Sequence, residues 1–83
     1  MRPIVGIGIA RLGRMVRHAR RRIGLSQSTL ARRTGVGTRF ISDLENGKPT
    51  LQIHKVLQVL MQLGLSWSVS EPDKETRIIP DRE

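Results

Sequence analysis

The 83-residue chain contains no cysteine and no tyrosine, and it has only one phenylalanine and one tryptophan. Without cysteine it forms neither disulfide bonds nor thiolate metal sites. Its two histidines, His18 and His54, lie far apart on different predicted helices with no carboxylate at ligand spacing, so we interpret them as solvated residues and expect no metal or cofactor. Leu, Ile and Val must therefore fill the core of one small domain, and so short a chain gains buried area by dimerising.

Long apolar runs and carboxylates are also scarce. No apolar run is long enough to cross a bilayer. The N-terminal stretch MRPIVGIGIARLG has some features of a signal peptide, but Arg11 and the amphipathic helix after it interrupt them, and we expect a cytoplasmic protein. Before the tail the only acids are Asp43 and Glu45. Neither a Ser/His/Asp arrangement nor a spare carboxylate pair is available, so an enzyme is not expected.

Positive charge is concentrated in the body of the chain. Residues 1–70 hold twelve Lys or Arg against two acids, which gives +10, and residues 71–83 hold three against five, which gives −2. A basic body predicts a polyanionic partner, and nucleic acid is the usual one. The tail contains two prolines and is predicted to be flexible. Within it, Ile78 and Ile79 are either part of a disordered end or an anchor for a protein partner.

The spacing of apolar residues predicts four helices, bounded by residues with known capping behaviour. The first spans 9–23 and ends at Gly24, the second runs from the cap Ser26 to 34, and the third covers 38–45 after Gly37. The fourth is predicted to open at Pro49 and Thr50, with Thr50 as its cap, and to close at Gly64. The predicted core residues of the first and fourth helices are Leu12, Val16, Ala19, Ile23, Ile53, Val56, Leu57 and Leu60.

Residues 27–45 (QSTLARRTGVGTRFISDLE) have the pattern of a helix-turn-helix. Ala31 is the small residue where the two helices would cross, and Gly35 permits the positive φ that the turn requires. The apolar residues that would fill the angle are Leu30, Val36, Ile41 and Leu44. The second helix then presents polar residues outward, as a helix that enters a DNA major groove does. The alternative is two core helices of an unrelated bundle.

The outward residues of this second helix are the predicted base-reading residues: Thr38, Arg39, Ser42 and Asp43. Arg39 is the strongest candidate, because its guanidinium matches the O6 and N7 acceptors of guanine. Asp43 either orients Arg39 across one turn or accepts a hydrogen bond from cytosine. Phe40 either completes the core edge or reaches a thymine methyl. Contacts to the DNA backbone are predicted at the neighbouring helix ends, from Gln27, Ser28, Asn46 and Lys48.

Residues 65–69 (LSWSV) alternate apolar and polar, which is typical of a strand rather than a helix. A lone strand has no pairing partner within its own chain, so we expect it to pair with the twofold-related strand of a second subunit. The alternative is an extended tail with Trp67 packed against the fourth helix. The predicted dimer interface consists of Val59, Leu63, Leu65, Trp67 and Val69.

The segment LSQSTLARRTGVGTRFISDLENGK resembles the Cro/phage-repressor (Xre-type) class of helix-turn-helix proteins. That resemblance implies an ion pair between Arg20 of the first helix and Glu45 at the end of the recognition helix. Gly37 departs from the pattern, since many members carry a side-chain cap there. The run FISDLENGKPTLQIHKVLQVLMQLGLSWSV is similar to the HipB antitoxins, which pair with HipA-type kinase toxins. This second resemblance implies a two-stranded sheet across the dimer.

We therefore predict an all-α, lambda-repressor-like domain of four main helices over residues 9–64. An N-terminal arm (1–8) precedes it, and a dimerisation strand (65–69) and flexible tail (70–83) follow it. The expected function is a homodimeric repressor that binds a palindromic DNA operator, and the resemblance implies a HipA-like toxin as a further partner. The alternatives are a stand-alone Xre-type or phage repressor and a protein-interaction module without DNA binding.

Overall fold

The computed structural model describes residues 8–49, 52–70 and 77–80. Within them the chain forms α1 (Ile9–Arg22), α2 (Gln27–Thr34), α3 (Thr38–Glu45), α4 (Ile53–Gln62), β1 (Trp67–Ser70) and β2 (Arg77–Pro80). The four-helix, helix-turn-helix fold is confirmed, with α2 and α3 as its central unit. The predicted N-terminal arm, apart from Gly8, lies outside the described residues.

Local capping fixes the boundaries of the α2–α3 unit. The Oγ of Ser26 accepts a hydrogen bond from the backbone N–H of Thr29 at 3.1 Å, which satisfies one free amide of the first turn. At the other end Gly35 adopts φ +82°, and its N–H and that of Val36 donate to the carbonyl of Ala31 at 2.9 and 3.0 Å. This left-handed residue turns the chain toward α3 while bonding the carbonyl that would otherwise be unpaired.

The core lies where the four helices meet. Ala31 is 2% exposed at the α2–α3 crossing, where a larger side chain would separate the helices. Fully burying a Leu, Ile or Val side chain contributes about 1.5–3 kcal/mol relative to leaving it exposed. The buried apolar residues are Leu12, Val16, Ala19, Leu30, Ala31, Ile41, Leu44, Val56, Val59 and Leu60.

Three residues of α1 and α4 lie differently from the prediction. Ile23 was expected in the core but is 52% exposed, because α1 ends at Arg22 and Gly24, at φ +77°, turns the chain away. Ile53, also expected in the core, is 43% exposed in the first turn of α4. Val59 was assigned to the dimer interface but is fully buried within its own subunit. The buried stripe of α4 is therefore Val56, Val59 and Leu60.

The exposure of Ile53 is related to the position at which α4 begins. The sequence predicted an opening at Pro49 and Thr50, whereas α4 begins at Ile53 with Gln52 in the N-cap position and no side-chain cap bond. Thr50 and Leu51 lie outside the described residues. The end of the helix agrees with the prediction, since Gly64 takes φ +70° and the N–H of Leu65 donates to the carbonyl of Leu60 at 3.0 Å.

The alternating segment has a pairing partner in its own chain. β1 pairs antiparallel with β2, with Trp67 opposite Pro80 and Ser70 opposite Arg77. The expectation that this strand lacks an intrachain partner was therefore wrong, and Arg77–Pro80 belongs to the segment predicted as a tail. The adjacent isoleucines at 78 and 79 are β-branched, a residue type that favours strands. Trp67 itself is half-buried and packs against the core.

No helix in the described part of the chain is long and apolar enough to span a membrane.

Candidate nucleic-acid interface

A buried ion pair joins α1 to the last residue of α3. The Nε of Arg20 donates to Oε2 of Glu45 at 2.6 Å, and Nη2 donates to Oε1 at 2.9 Å. The remaining terminal nitrogen, Nη1, donates to the carbonyl of Leu25 at 2.8 Å. The side chain of Gln27, the first residue of α2, donates to Oε1 of Glu45 at 3.1 Å. One carboxylate therefore connects α1, α2 and α3, and it fixes the end of α3 relative to both neighbours.

Both members of this pair are held in their charged forms. Burial disfavours the charged carboxylate of Glu45, but hydrogen bonds from Arg20 and Gln27 and the positive charges of Arg20 and Arg17 outweigh it. The pKa of Glu45 is therefore lowered below its ordinary value. The hydrogen bond to Glu45 raises the pKa of Arg20 against the opposing effect of burial. The pair is fully ionised at neutral pH.

Two glycines allow α1 to approach the C-terminal end of α3, and the sequence analysis did not identify this close approach. A Cβ at Gly13 would overlap the carbonyl oxygen of Leu44 and lie 2.9 Å from that of Glu45. A Cβ at Gly47 would lie 2.9 Å from the Cα of Ala10, at a residue that also needs φ +78°. The available signal was a glycine inside an otherwise regular amphipathic helix, which lowers helix stability unless packing requires it.

The predicted base-reading residues lie together along α3. Thr38 and Arg39 are exposed at its N-terminal end, and the Arg39 side chain is 87% exposed. Ser42 and Asp43 follow one turn later and are half-buried. Phe40 is half-buried and packs against the core, which corresponds to the first of its two predicted roles. The outward surface of α3 is therefore polar and carries one extended cation.

Asp43 lies between two cations that the sequence analysis had assigned to different roles. Its Oδ1 is 3.4 Å from Nε of Arg39, and its Oδ2 is 3.6 Å from Nζ of Lys48. The backbone N–H of Lys48 also donates to the carbonyl of Asp43 at 3.0 Å, which holds the loop against the end of α3. Exposed ion pairs of this kind contribute little to stability. Their effect is to orient Arg39 and Lys48 around one carboxylate.

The residues predicted to contact the DNA backbone come from two helix ends that the structure brings together. Ser28 is exposed in the first turn of α2, and Asn46 is exposed immediately after α3, where its N–H donates to the carbonyl of Ser42 at 3.0 Å. The bond between Gln27 and Glu45 makes the start of α2 adjacent to the end of α3. Amides at a helix start and a nearby ammonium suit neighbouring phosphates of one strand.

The exposed charge on α1 to α3, on all sides of these helices, is basic. Among the described residues only Asp43 and Glu45 are acidic, and Glu45 is buried against Arg20 while Asp43 contacts two cations. The exposed basic residues of α1 to α3 are Arg14, Arg17, Arg21, Arg22, Arg32, Arg33 and Arg39. Such a surface attracts a polyanion and makes its binding sensitive to salt.

Comparison with known proteins agrees with this geometry. A family model described as helix-turn-helix matches residues 16–69. The chain belongs to the helix-turn-helix family. The HTH-type transcriptional regulator y4mF of Sinorhizobium fredii, itself described as uncharacterized, is 50% identical over 68 residues, covering 82% of this chain and 90% of that protein.

Solved structures with the same fold include a controller protein and HipB. The restriction-modification controller protein C.AhdI from Aeromonas hydrophila has a TM-score of 0.61 and 27% identity, over 68% of this chain and 81% of the controller. HipB in the HipB-O1-O2 complex has a TM-score of 0.68 and 25% identity, over 76% and 91% of the two chains. The HipA-HipB-O2-O3 complex contains a chain of the same fold, with a TM-score of 0.69 and 24% identity. This helix-turn-helix protein is a DNA-binding transcriptional regulator.

Proposed function

We propose that this regulator is a homodimer that binds a palindromic operator and represses transcription from it. The observation that carries the proposal is the surface of α3, where exposed Thr38 and Arg39 lie on a helix fixed by the buried Arg20–Glu45 pair. Arg39 reads a guanine, and Lys48 and the start of α2 contact phosphates on either side. Each subunit supplies one such surface, so two half-sites related by a twofold axis are needed.

The test is to measure binding to a palindromic duplex selected from a random library and to a scrambled duplex of the same composition. The half-site centres should lie about 34–36 Å apart, or one helical turn. Affinity for both duplexes should fall with salt, with a log–log slope of about −0.9 per phosphate neutralised, but the selected duplex should stay tighter at every salt concentration. Equal affinity for the two duplexes at moderate salt would refute sequence-specific recognition.

The dimer interface we propose continues the small sheet. β2 occupies one edge of β1, and in the described part of the chain no strand pairs with the other edge. Pairing of that edge with its twofold copy would satisfy its backbone groups and create a four-stranded sheet. Leu63 and Leu65 come just before β1 and Trp67 begins it, and all three are half-buried. Met61, 69% exposed on α4, offers further apolar surface that the sequence analysis did not assign. The side chain of Val69, also predicted here, lies outside the described part of the structure.

Two deletions test this interface because they remove different strands. Deletion of residues 71–83 removes β2 and leaves β1, so the dimer should persist in sedimentation experiments. Deletion of residues 66–83 removes both strands, so the dimer should dissociate and apparent stability should depend more strongly on protein concentration. An unchanged dimer after the longer deletion would place the interface elsewhere.

A HipA-like kinase toxin is the partner we propose, which would make the protein an antitoxin that represses its own operon. The support is the run FISDLENGKPTLQIHKVLQVLMQLGLSWSV and the likeness of the fold to HipB. The second candidate is a stand-alone regulator without a toxin, which the likeness to the controller protein C.AhdI supports, with a TM-score of 0.61 and 27% identity. The adjacent reading frame distinguishes them: a kinase-like product should co-purify with this protein and stay bound when DNA is added. A neighbour of another kind, or a kinase that does not co-purify, would favour the stand-alone regulator.

A further inference from the structure

A second basic surface lies between α1 and the segment that follows α4, and the DNA-binding role does not account for it. Here a groove of about 760 Å³ opens between α1 and residues 64–66. Arg14, His18 and Arg22 line its α1 side, and Met15 and Leu65 add apolar surface. Of the lining residues that the structure describes, none is acidic. Among its described residues the groove therefore combines positive charge with apolar contact area and has no carboxylate.

The spacing of Arg14, His18 and Arg22 gives the groove a direction. Residues 14, 18 and 22 lie four positions apart, so their side chains form a row along one face of α1 about 12 Å long at 1.5 Å per residue. Met15 stands beside this row, at 100° from Arg14 around the helix axis. A partner helix with carboxylates on one edge and apolar residues on the next would match both features along two to three turns.

The groove faces away from the proposed DNA surface. Gly13 and Arg20 lie on the side of α1 that contacts the end of α3. At 100° per residue, His18, Arg22 and Met15 fall on the opposite side of the same helix. A molecule in the groove would therefore leave Thr38 and Arg39 accessible, and both surfaces could be occupied together.

We propose that this groove docks an acidic, amphipathic segment of a protein partner. The inference relies on α3 as the DNA-contacting helix, but it does not require the partner to be a kinase toxin. Charge complementarity favours an acidic ligand, and the apolar surface of Met15, beside Leu65 of the proposed dimer interface, favours protein, because a phosphate backbone has no apolar side chains to pack there. Ion pairs from Arg14 and Arg22 to the partner's carboxylates would orient the partner in the groove. The apolar contacts would exclude water around these ion pairs.

The experiment uses the full-length protein and a labelled synthetic helix with glutamates four residues apart and leucines beside them. A scrambled peptide of the same composition controls for net charge. Arg14→Glu and Arg22→Glu should each lower the affinity for the helical peptide by about three- to tenfold. Arg21→Glu is the matched control: it is exposed in the same helix, makes the same change in charge and does not line the groove. It should change affinity by less than about twofold.

The outcomes separate this proposal from the others. Absence of peptide binding, or equal losses in Arg21→Glu and Arg22→Glu, would overturn it, since the second result indicates charge attraction without a defined site. Peptide binding should persist when a random-sequence duplex occupies the DNA surface. Loss of DNA affinity in Arg22→Glu, well beyond that in Arg21→Glu, would instead assign the groove to nucleic acid. Unchanged thermal unfolding of all three variants confirms that folding is intact.

Discussion

Arg20 in α1 and Glu45 at the end of α3 form a two-pronged ion pair, with Nε–Oε2 and Nη2–Oε1 distances of 2.6 and 2.9 Å, although they are 25 positions apart in the chain. Their side chains are only 9% and 2% exposed. Desolvation offsets much of the attraction in such a pair, so its net contribution is small compared with the cost of losing one partner. Its structural effect is that the orientation of α3 depends on α1.

Removal of either partner should therefore destabilise the protein strongly. Arg20→Met or Glu45→Gln should lower the free energy of unfolding by about 3–5 kcal/mol, because each leaves a buried group without its counterpart. The double variant should recover part of that loss, since no unpaired charge remains. Urea unfolding of the four proteins gives the coupling between the sites. Losses below about 1 kcal/mol in both single variants would show that the pair is not energetically significant.

Acid should lower the free energy of unfolding through the same carboxylate, that of Glu45. The pKa of folded Glu45 lies below its ordinary value of 4.5, so the unfolded chain binds more protons in acid. The stabilisation is fully present above the ordinary pKa and is lost as the pH falls through the lower folded value. Unfolding free energy measured between neutral and acid pH should therefore decline more steeply in the original protein than in Glu45→Gln. Parallel pH profiles would contradict the assignment, because the other carboxyl groups titrate in both proteins.

The helix-turn-helix unit was predictable because its determinants are close in sequence. The Ser26 cap, the small Ala31 and the left-handed Gly35 each act within a few residues, and the boundaries of α2 and α3 agree with the prediction. The burial pattern of α4 was less predictable. Its apolar residues permit more than one buried face, and the helix start at Ile53 and its packing on α2 select the stripe that includes Val59.

Contacts between distant residues account for most of what the sequence did not show. The bond from Gln27 to Glu45 and the pairing of β1 with β2 join residues that have no periodic relationship. The Arg20–Glu45 pair was expected only through family resemblance. Gly13 belongs to this group as well, because its role depends on a carbonyl of α3 that lies far along the chain.

Gly13→Ala tests that close approach. Alanine favours an isolated helix over glycine by about 1 kcal/mol, so helix propensity alone predicts stabilisation. The new Cβ would overlap the carbonyl of Leu44, and we expect a net loss of about 1–3 kcal/mol in unfolding free energy, measured by thermal or urea unfolding. Gly37→Ser is the control, since Gly37 has φ −77° and no atom near its Cβ position. It should leave stability unchanged or raise it by a few tenths of a kcal/mol by capping α3. Stabilisation by Gly13→Ala would show that α1 and α3 can separate at little cost.

The last prediction concerns Asp43 and the two cations beside it. Arg39→Ala should reduce the binding free energy for the best operator by about 1–3 kcal/mol and relax the preference at one base pair, because a bidentate guanine contact is lost. Lys48→Ala should lower the affinity for all DNA sequences alike. It should also reduce the log–log slope of affinity against salt by about one, because a phosphate contact is lost. Both are measured on one library of duplexes.

Asp43→Asn separates the two roles left open for that carboxylate. The substitution removes a negative charge 3.4 Å from Arg39 and 3.6 Å from Lys48, so if Asp43 only orients these cations, affinity for random DNA should rise and the preference at the Arg39 base pair should weaken. If Asp43 instead accepts a hydrogen bond from cytosine, a different base pair should lose its preference while the Arg39 position keeps its own. An even loss across the library in Arg39→Ala would make Arg39 a phosphate-contacting residue, and the assignment of base reading to the start of α3 would be wrong.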